Sequence, residues 1–289
     1  MSEVAQKDRD TGRRPVKRTD KISVPHDAAL MAAVRKAGLD TVEGAFAWRG
    51  EDIDKPGLGS RRRTRLTLTD EAGREHVLYL KRYGTPGAVR AGEVWAAVKR
   101  WLATGRRCSA AEAEWRNIEA AAAAGVPTMR PLARGSVPCP IGAAASFLLV
   151  TAVPGEALAR CAGRYLSAGG AEAGEALAAG LARLAKRLHD AGWVHRDLYT
   201  SHVFLDERAG GAKLYLIDLA RLLRPRLREL RWYVKDVAQL KYSMPAAWAA
   251  EHWATFLRHY LTGVSSDAQR RFDRKVDRKV ARMRRRNKR

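Results

Sequence analysis

The run His195-Arg196-Asp197-Leu198-Tyr199-Thr200-Ser201-His202, followed by the apolar stretch Leu214 to Ile217 that delivers Asp218, decides how this chain folds. Asp197 falls in a polar loop, and Asp218 ends a strand 21 positions later. Two carboxylates placed in this way suit the two acidic tasks of phosphoryl transfer from ATP. One orients the attacking hydroxyl, and the other holds Mg²⁺.

The segments on either side read as the frame of such a site. Upstream, Leu177, Leu181, Leu184 and Leu188 mark one apolar stripe of a helix that ends at Gly192, immediately before the loop. Downstream, Val203 to Leu205 and Leu214 to Ile217 read as two short strands around a Gly210-Gly211 turn. Segments near 230–243 and 246–262 read as helices.

Nearer the N-terminus, alternation in His76 to Tyr83 puts Val77, Tyr79 and Lys81 on one sheet face. Ser109 followed by Glu112 makes a capping-box start, and Gly125 and Pro127 stop the helix that carries Glu114. Ser146 to Thr151 reads as a short apolar strand that runs into a sharp bend at Val153-Pro154-Gly155. Alternation over Gly44 to Trp48 and over Arg65 to Thr69 predicts a hairpin whose tip is Pro56-Gly57-Leu58-Gly59-Ser60.

The bulk properties narrow the partners. The chain has 289 residues, 46% hydrophobic and 29% charged, enough for a sizeable globular core. Lys and Arg total 54 against 31 Asp and Glu, a net charge of +23, and Arg outnumbers Lys by 40 to 14. Such a field attracts polyanions: nucleic acid, anionic lipid head groups or a phosphorylated glycolipid. Charge alone does not choose among them. Cys108, Cys139 and Cys161 form no Cys-x-x-Cys pair, which argues against a disulfide framework or a thiolate zinc site and suits a cytoplasmic protein. The longest apolar run, Ile141 to Val153, is too short to span a bilayer, so any membrane contact is expected to be peripheral.

A strand Lys, a helix Glu, a loop Asp and a strand-end Asp follow in the order Lys81, Glu114, Asp197, Asp218, which matches a protein-kinase-like chain. Over roughly residues 45–262 the wording also resembles one family, the bacterial lipopolysaccharide core kinases, which phosphorylate heptose or 3-deoxy-D-manno-octulosonic acid. The matching pieces are Ala113-Glu114-Trp115, Gly125-Val126-Pro127-Thr128-Met129, His195-Arg196-Asp197 with His202, Ile217-Asp218-Leu219, and Lys235-Asp236-Val237-Ala238-Gln239-Leu240.

The resemblance implies an α+β, two-lobed protein-kinase-like fold, with ATP and Mg²⁺ as cofactors and a sugar hydroxyl of an anionic glycolipid as acceptor. Lys81, paired with Glu114, would contact the α- and β-phosphates, and Asp197 would take the hydroxyl proton. Asp218 would bridge the metal to the phosphates, with His202 standing where most protein kinases carry a second metal ligand, Asn. The adenine would lie against the hinge near Thr151 to Pro154, with Thr151 and Val153 as its candidate residues. Gly57 and Gly59 are the candidates for the nucleotide lid, although they do not spell Gly-x-Gly-x-x-Gly. Asp236 would bond the backbone of the catalytic loop. No nucleic acid partner is expected.

Departures from the regulated kinases are informative. Leu219-Ala220 replaces Phe-Gly, no Ala-Pro-Glu follows, and Arg221, Arg224, Arg226, Arg228 and Arg231 fill the stretch of the activation segment. These arginines could grip acceptor phosphates or carboxylates, or form a solvated surface. The expected organisation is a flexible basic arm at 1–25, an N-lobe at 26–153, a C-lobe at 154–264 and a basic helix or tail at 265–289. In the tail, Phe272, Val276, Val280 and Met283 recur at helical spacing, as in an amphipathic helix on the anionic inner membrane or in an ordinary terminal helix. The alternatives to a sugar kinase are a compact protein Ser/Thr kinase and a non-catalytic basic module that binds nucleic acid or membrane.

Overall fold

The computed structural model describes residues 27–53, 61–87, 91–137, 145–208 and 212–287. The expected N-terminal arm, the glycine tip with Gly57 and Gly59, Cys139 and the Gly210-Gly211 turn lie outside these residues.

The chain begins with helices α1 (Ala28–Lys36) and α2 (Val42–Ala47), followed by strands β1 (Glu51–Asp52), β2 (Arg61–Thr69) and β3 (Glu75–Tyr83). Helices α3 (Ala91–Thr104) and α4 (Ala110–Ala123) lead into β4 (Pro131–Ser136) and β5 (Ser146–Thr151). These strands form one antiparallel sheet in the order β1-β2-β3-β5-β4. Its outer face packs on α1 and α2 through Leu30, Val34, Leu78, Leu80, Phe147 and Leu149. Its inner face gives Tyr83, Leu148 and Val150 to a second core shared with Trp115 and Ile118 of α4. β5 therefore buries both faces, which is why Ser146 to Val150 reads as an unbroken apolar run.

The second lobe starts with β6 (Glu156–Ala157) and α5 (Leu158–Asp190), which is broken at Gly170 by a left-handed residue, φ 55°. Strands β7 (Val203–Asp206) and β8 (Lys213–Leu216) join β6 in a small antiparallel sheet. Helices α6 (Glu229–Ser243), α7 (Ala246–Tyr260) and α8 (Ser266–Asn287) complete the lobe. Leu177, Leu181, Leu184 and Leu188 of α5 lie fully or almost fully buried in the C-lobe core, as their spacing implies, and α5 packs on α7. Among the described residues, no helix is long and apolar enough to cross a membrane.

One expectation is corrected, and one open alternative is decided. Residues 44–47 are helix rather than strand, with Trp48 its C-cap: Thr41 Oγ1 accepts from Gly44 N at 3.1 Å and caps α2, and the hairpin partner of β2 is the short β1, with Glu51 opposite Arg65. The apolar stripe of α8 is covered by protein. Phe272, Val276 and Val280 are buried in the C-lobe core, and Lys241 of α6 bonds Asp277 at 2.6 Å, so that face is not available to a bilayer.

Candidate active site

α4 is an Ala- and Glu-rich helix with strong intrinsic propensity. Ser109 Oγ accepts from Glu112 N at 3.1 Å, and Gly125, at φ 73°, terminates the segment. That register turns Glu114 inward, where its carboxylate is almost completely buried. Lys81 of β3 forms an ion pair with it, and Tyr83, two residues further along the same strand face, donates its hydroxyl to the other oxygen. Burial, together with the neighbouring Glu114 carboxylate, pushes the Tyr83 phenol well above its ordinary pKa, so it remains a donor.

A cleft of about 330 Å³ opens between the lobes. Lys81 and Asp218 stand in its wall with Thr151, Val153, Met129 and Ile217, so the expected hinge and phosphate groups share one cavity. Arg63 lines it as well, because in the β2–β3 register it lies opposite Lys81.

Asp218 adopts the left-handed conformation, φ 57° and ψ 59°, two residues after the end of β8. Burial raises its pKa, but the Lys81 ammonium, helped by Arg63, outweighs burial and holds the carboxyl below its ordinary value. Asn117, one turn beyond Glu114 on α4, donates Nδ2 to Leu219 O at 2.8 Å and so ties the Glu114 helix to the Asp218 turn.

His202 Nδ1 is 2.8 Å from the Asp197 carbonyl, which can only accept, so Nδ1 carries the proton. In the neutral ring Nε2 is then a lone pair, and it lies 3.7 Å from Asp218 Oδ2. The ring thus bonds the Asp197 segment and stands beside the Asp218 carboxylate. Ionised carboxylate oxygens fit a hard divalent cation, and an imidazole nitrogen beside them is usable, though softer than an amide oxygen.

The loop carrying Asp197 is written by one face of α6. Asp236 Oδ2 accepts from His195 N at 2.6 Å and Oδ1 from Arg196 N at 2.8 Å, while Lys235 Nζ donates to Arg196 O. Further along the helix, Gln239 Oε1 accepts from Leu198 N at 3.2 Å and Ser243 Oγ from Thr200 N at 3.0 Å. This clamp holds Arg196 at φ 73°, an unfavourable conformation for a side chain of that size, stabilised only when its surroundings over-determine it. His195 is fully buried and donates Nε2–H to Ile217 O at 2.9 Å; burial lowers its pKa and keeps it neutral. It is a strut between the Asp197 loop and the Asp218 strand.

The structure therefore brings together Lys81, Glu114, Asp197, His202, Asp218, Thr151 and Val153. Asp236 bonds the loop as expected. Sequence reasoning missed Tyr83, Asn117, Gln239 and Ser243, and it missed that Arg221 Nη1 pairs with Asp197 Oδ2 at 2.7 Å. Alternation from Lys81 could have flagged Tyr83, and helical spacing from Asp236 could have flagged Gln239 and Ser243.

Among curated proteins, none matches this chain. Among solved structures it is similar to a WaaP in complex with acyl carrier protein, with a TM-score of 0.58 and 22% identity, over 85% of this chain and 95% of that one. That likeness carries the two-lobed fold. The sequence profile described as "Lipopolysaccharide kinase (Kdo/WaaP) family" matches residues 63–260, which include every described member of the constellation above. With its fold and site geometry in agreement, the chain belongs to the lipopolysaccharide kinase (Kdo/WaaP) family, phosphotransferases that act on a sugar hydroxyl.

Proposed function

We propose that this protein transfers the γ-phosphoryl group of ATP to a hydroxyl of heptose or 3-deoxy-D-manno-octulosonic acid in the inner core of a lipopolysaccharide-type glycolipid, at the cytoplasmic face of the membrane. Asp197 accepts the hydroxyl proton as the sugar oxygen bonds to phosphorus and the bond from phosphorus to the bridging oxygen of ADP breaks. Lys81, held by Glu114 and Tyr83, binds the α- and β-phosphates. Thr151 and Val153 line the adenine end of the cleft. Asp218 and His202 are the residues that would hold Mg²⁺, which when bound offsets phosphate charge.

One observation carries this reading: Lys81 and Asp218 line a single cleft, while the Asp197 loop is bonded to the His202 ring beside Asp218. A non-catalytic binding module has no use for a cleft lysine held from behind by a buried Glu–Tyr pair.

The test is transfer of labelled phosphate from ATP to glycolipid isolated from a strain lacking the gene, followed by mass spectrometry of the product. The expected result is one added phosphate on an inner-core sugar, and a loss of at least about 100-fold in rate for Asp197→Asn. Label in protein but not in glycolipid would favour a protein kinase instead.

A further inference from the structure

α3 is amphipathic in reverse. Glu93, Ala97 and Arg100, spaced four and three residues apart, face the protein: Ala97 is buried, Glu93 approaches Gly84, and Arg100 Nε donates to Cys108 O at 3.4 Å. The bulky apolar residues point outward. Trp95 is 64% exposed, Val98 37%, Trp101 47% and Leu102 67%. The described residues include eight exposed large hydrophobics, and four of them sit on this one helix. Scattered exposed apolar side chains are ordinary, but a contiguous stripe marks a surface that something covers.

The chemistry of the helix selects the covering partner. Lys99 is exposed within the stripe, and Arg106 and Arg107 are exposed just beyond it. The one acid between residues 91 and 107, Glu93, is turned inward. Two copies of such a cationic face repel each other. An anionic bilayer complements it, because tryptophan favours the interfacial layer and basic side chains favour lipid phosphates. The helix is also well placed, since β3 with Lys81 leads into it and α4 with Glu114 follows it.

We infer that α3 docks the protein on an anionic membrane surface, with Trp95, Val98, Trp101 and Leu102 entering the interface and Lys99 against lipid phosphates. Docking there holds the catalytic cleft beside a lipid-linked acceptor, a purpose that rests on the function proposed above; the docking surface itself does not depend on catalysis. It also differs from the expectation for α8, whose apolar stripe is buried.

The test is sedimentation of the full chain with vesicles of phosphatidylcholine plus phosphatidylglycerol, or of phosphatidylcholine alone, without nucleotide or acceptor. The full chain should sediment with the anionic vesicles and be released by salt. The double variant Trp95→Ser/Leu102→Ser should bind at least about tenfold more weakly, with an unchanged melting temperature and unchanged phosphorylation of a soluble, lipid-free acceptor. Lys99→Glu, which leaves the apolar residues in place, should also weaken binding to anionic vesicles. Absence of vesicle binding, equal binding by the double variant, or equal salt-insensitive binding to neutral vesicles would overturn the inference. So would self-association, abolished by the same substitutions, in place of vesicle binding. If neither wild type nor variant phosphorylates any acceptor while vesicle binding behaves as expected, the kinase reading fails and the docking surface stands.

Discussion

Arg221 Nη1 lies 2.7 Å from Asp197 Oδ2, so the carboxylate at the centre of the proposed reaction already has one oxygen occupied by a guanidinium. Arg221 reaches it because Leu219 to Arg221 form a single 3₁₀ turn after Asp218, and because Val194 and Leu223 exchange backbone bonds that zip this segment to the Asp197 loop. A fixed pair of this kind orients the carboxylate and leaves Oδ1 for the acceptor hydroxyl. The other cations nearby are committed elsewhere: Arg196 lies over the Trp232 ring at 5.4 Å, and Lys235 bonds the Arg196 carbonyl.

Arg221→Ala is therefore expected to lower kcat by roughly 10- to 100-fold through loss of carboxylate alignment, while the KM for ATP changes little because Arg221 does not line the nucleotide cleft. Arg221→Lys should recover only part of the rate, since an ammonium lacks the planar fork. Steady-state kinetics with ATP and acceptor varied separately would check this. An unchanged kcat in Arg221→Ala would rule out the orienting role.

Asp236 satisfies two consecutive buried backbone donors, and its other near neighbour, His189 Nε2, is 3.4 Å away. Replacing it with Ala leaves those donors without an acceptor inside the protein. Asp236→Ala should cost roughly 2–4 kcal/mol of stability, and Asp236→Asn less, because one acceptor oxygen remains. Urea unfolding of the three proteins measures the difference, and kcat should fall in the same order as the loop loosens.

The parts of this molecule that were legible in its sequence are those whose chemistry is local. Ser109 and Gly125 bound α4, the unbroken apolar run of β5 reflects its two buried faces, and alternation placed Lys81 correctly. Residues 44–48 misled because five alternating residues fit a strand or a short helix equally well, and the deciding group, Thr41, lies outside that window. For α8 the period was right and the partner was invisible: spacing shows that a face is apolar, not whether protein or lipid covers it. The Arg221–Asp197 pair was beyond reach for a different reason. It depends on the Val194–Leu223 pairing, which no local pattern encodes.

Asp70 offers a pH test away from the cleft. At the β2–β3 turn its buried carboxylate bonds His76 Nε2 at 2.9 Å and accepts from Arg74 N, Arg74 Nε and Ala72 N, each at 2.9 Å. The His76 bond, then the Arg74 backbone bond, hold its pKa far below the ordinary value, against the upward pull of burial. A depressed folded pKa contributes stability in full above the unfolded carboxylate value of about 3.9, and that contribution shrinks as pH falls below it. Asp70→Asn should therefore melt below wild type at pH 7, with the gap closing as the pH is lowered through 4 towards 2. A gap that stayed constant across that range would show that the carboxylate charge contributes nothing.

Tyr83 supplies the final prediction, because its hydroxyl and the Lys81 ammonium share the buried Glu114 carboxylate. With the phenol held in its protonated form by burial and by Glu114, Tyr83 cannot act as a base and serves to fix Glu114. Tyr83→Phe removes one hydrogen bond while keeping the ring in the core that it shares with Trp115 and Leu148. Glu114 then gains rotational freedom, and Lys81 follows it out of the position that the proposed function gives it against the ATP phosphates. The expected effect is a KM for ATP raised about 3- to 10-fold, equivalent to about 1 kcal/mol, with the melting temperature lowered only slightly. Lys81→Met, which removes the cation itself, should abolish measurable nucleotide binding in calorimetry. If Tyr83→Phe bound ATP as wild type does while Lys81→Met did not, the phenol would be packing alone, and the Lys81–Glu114 pair would be rigid without it.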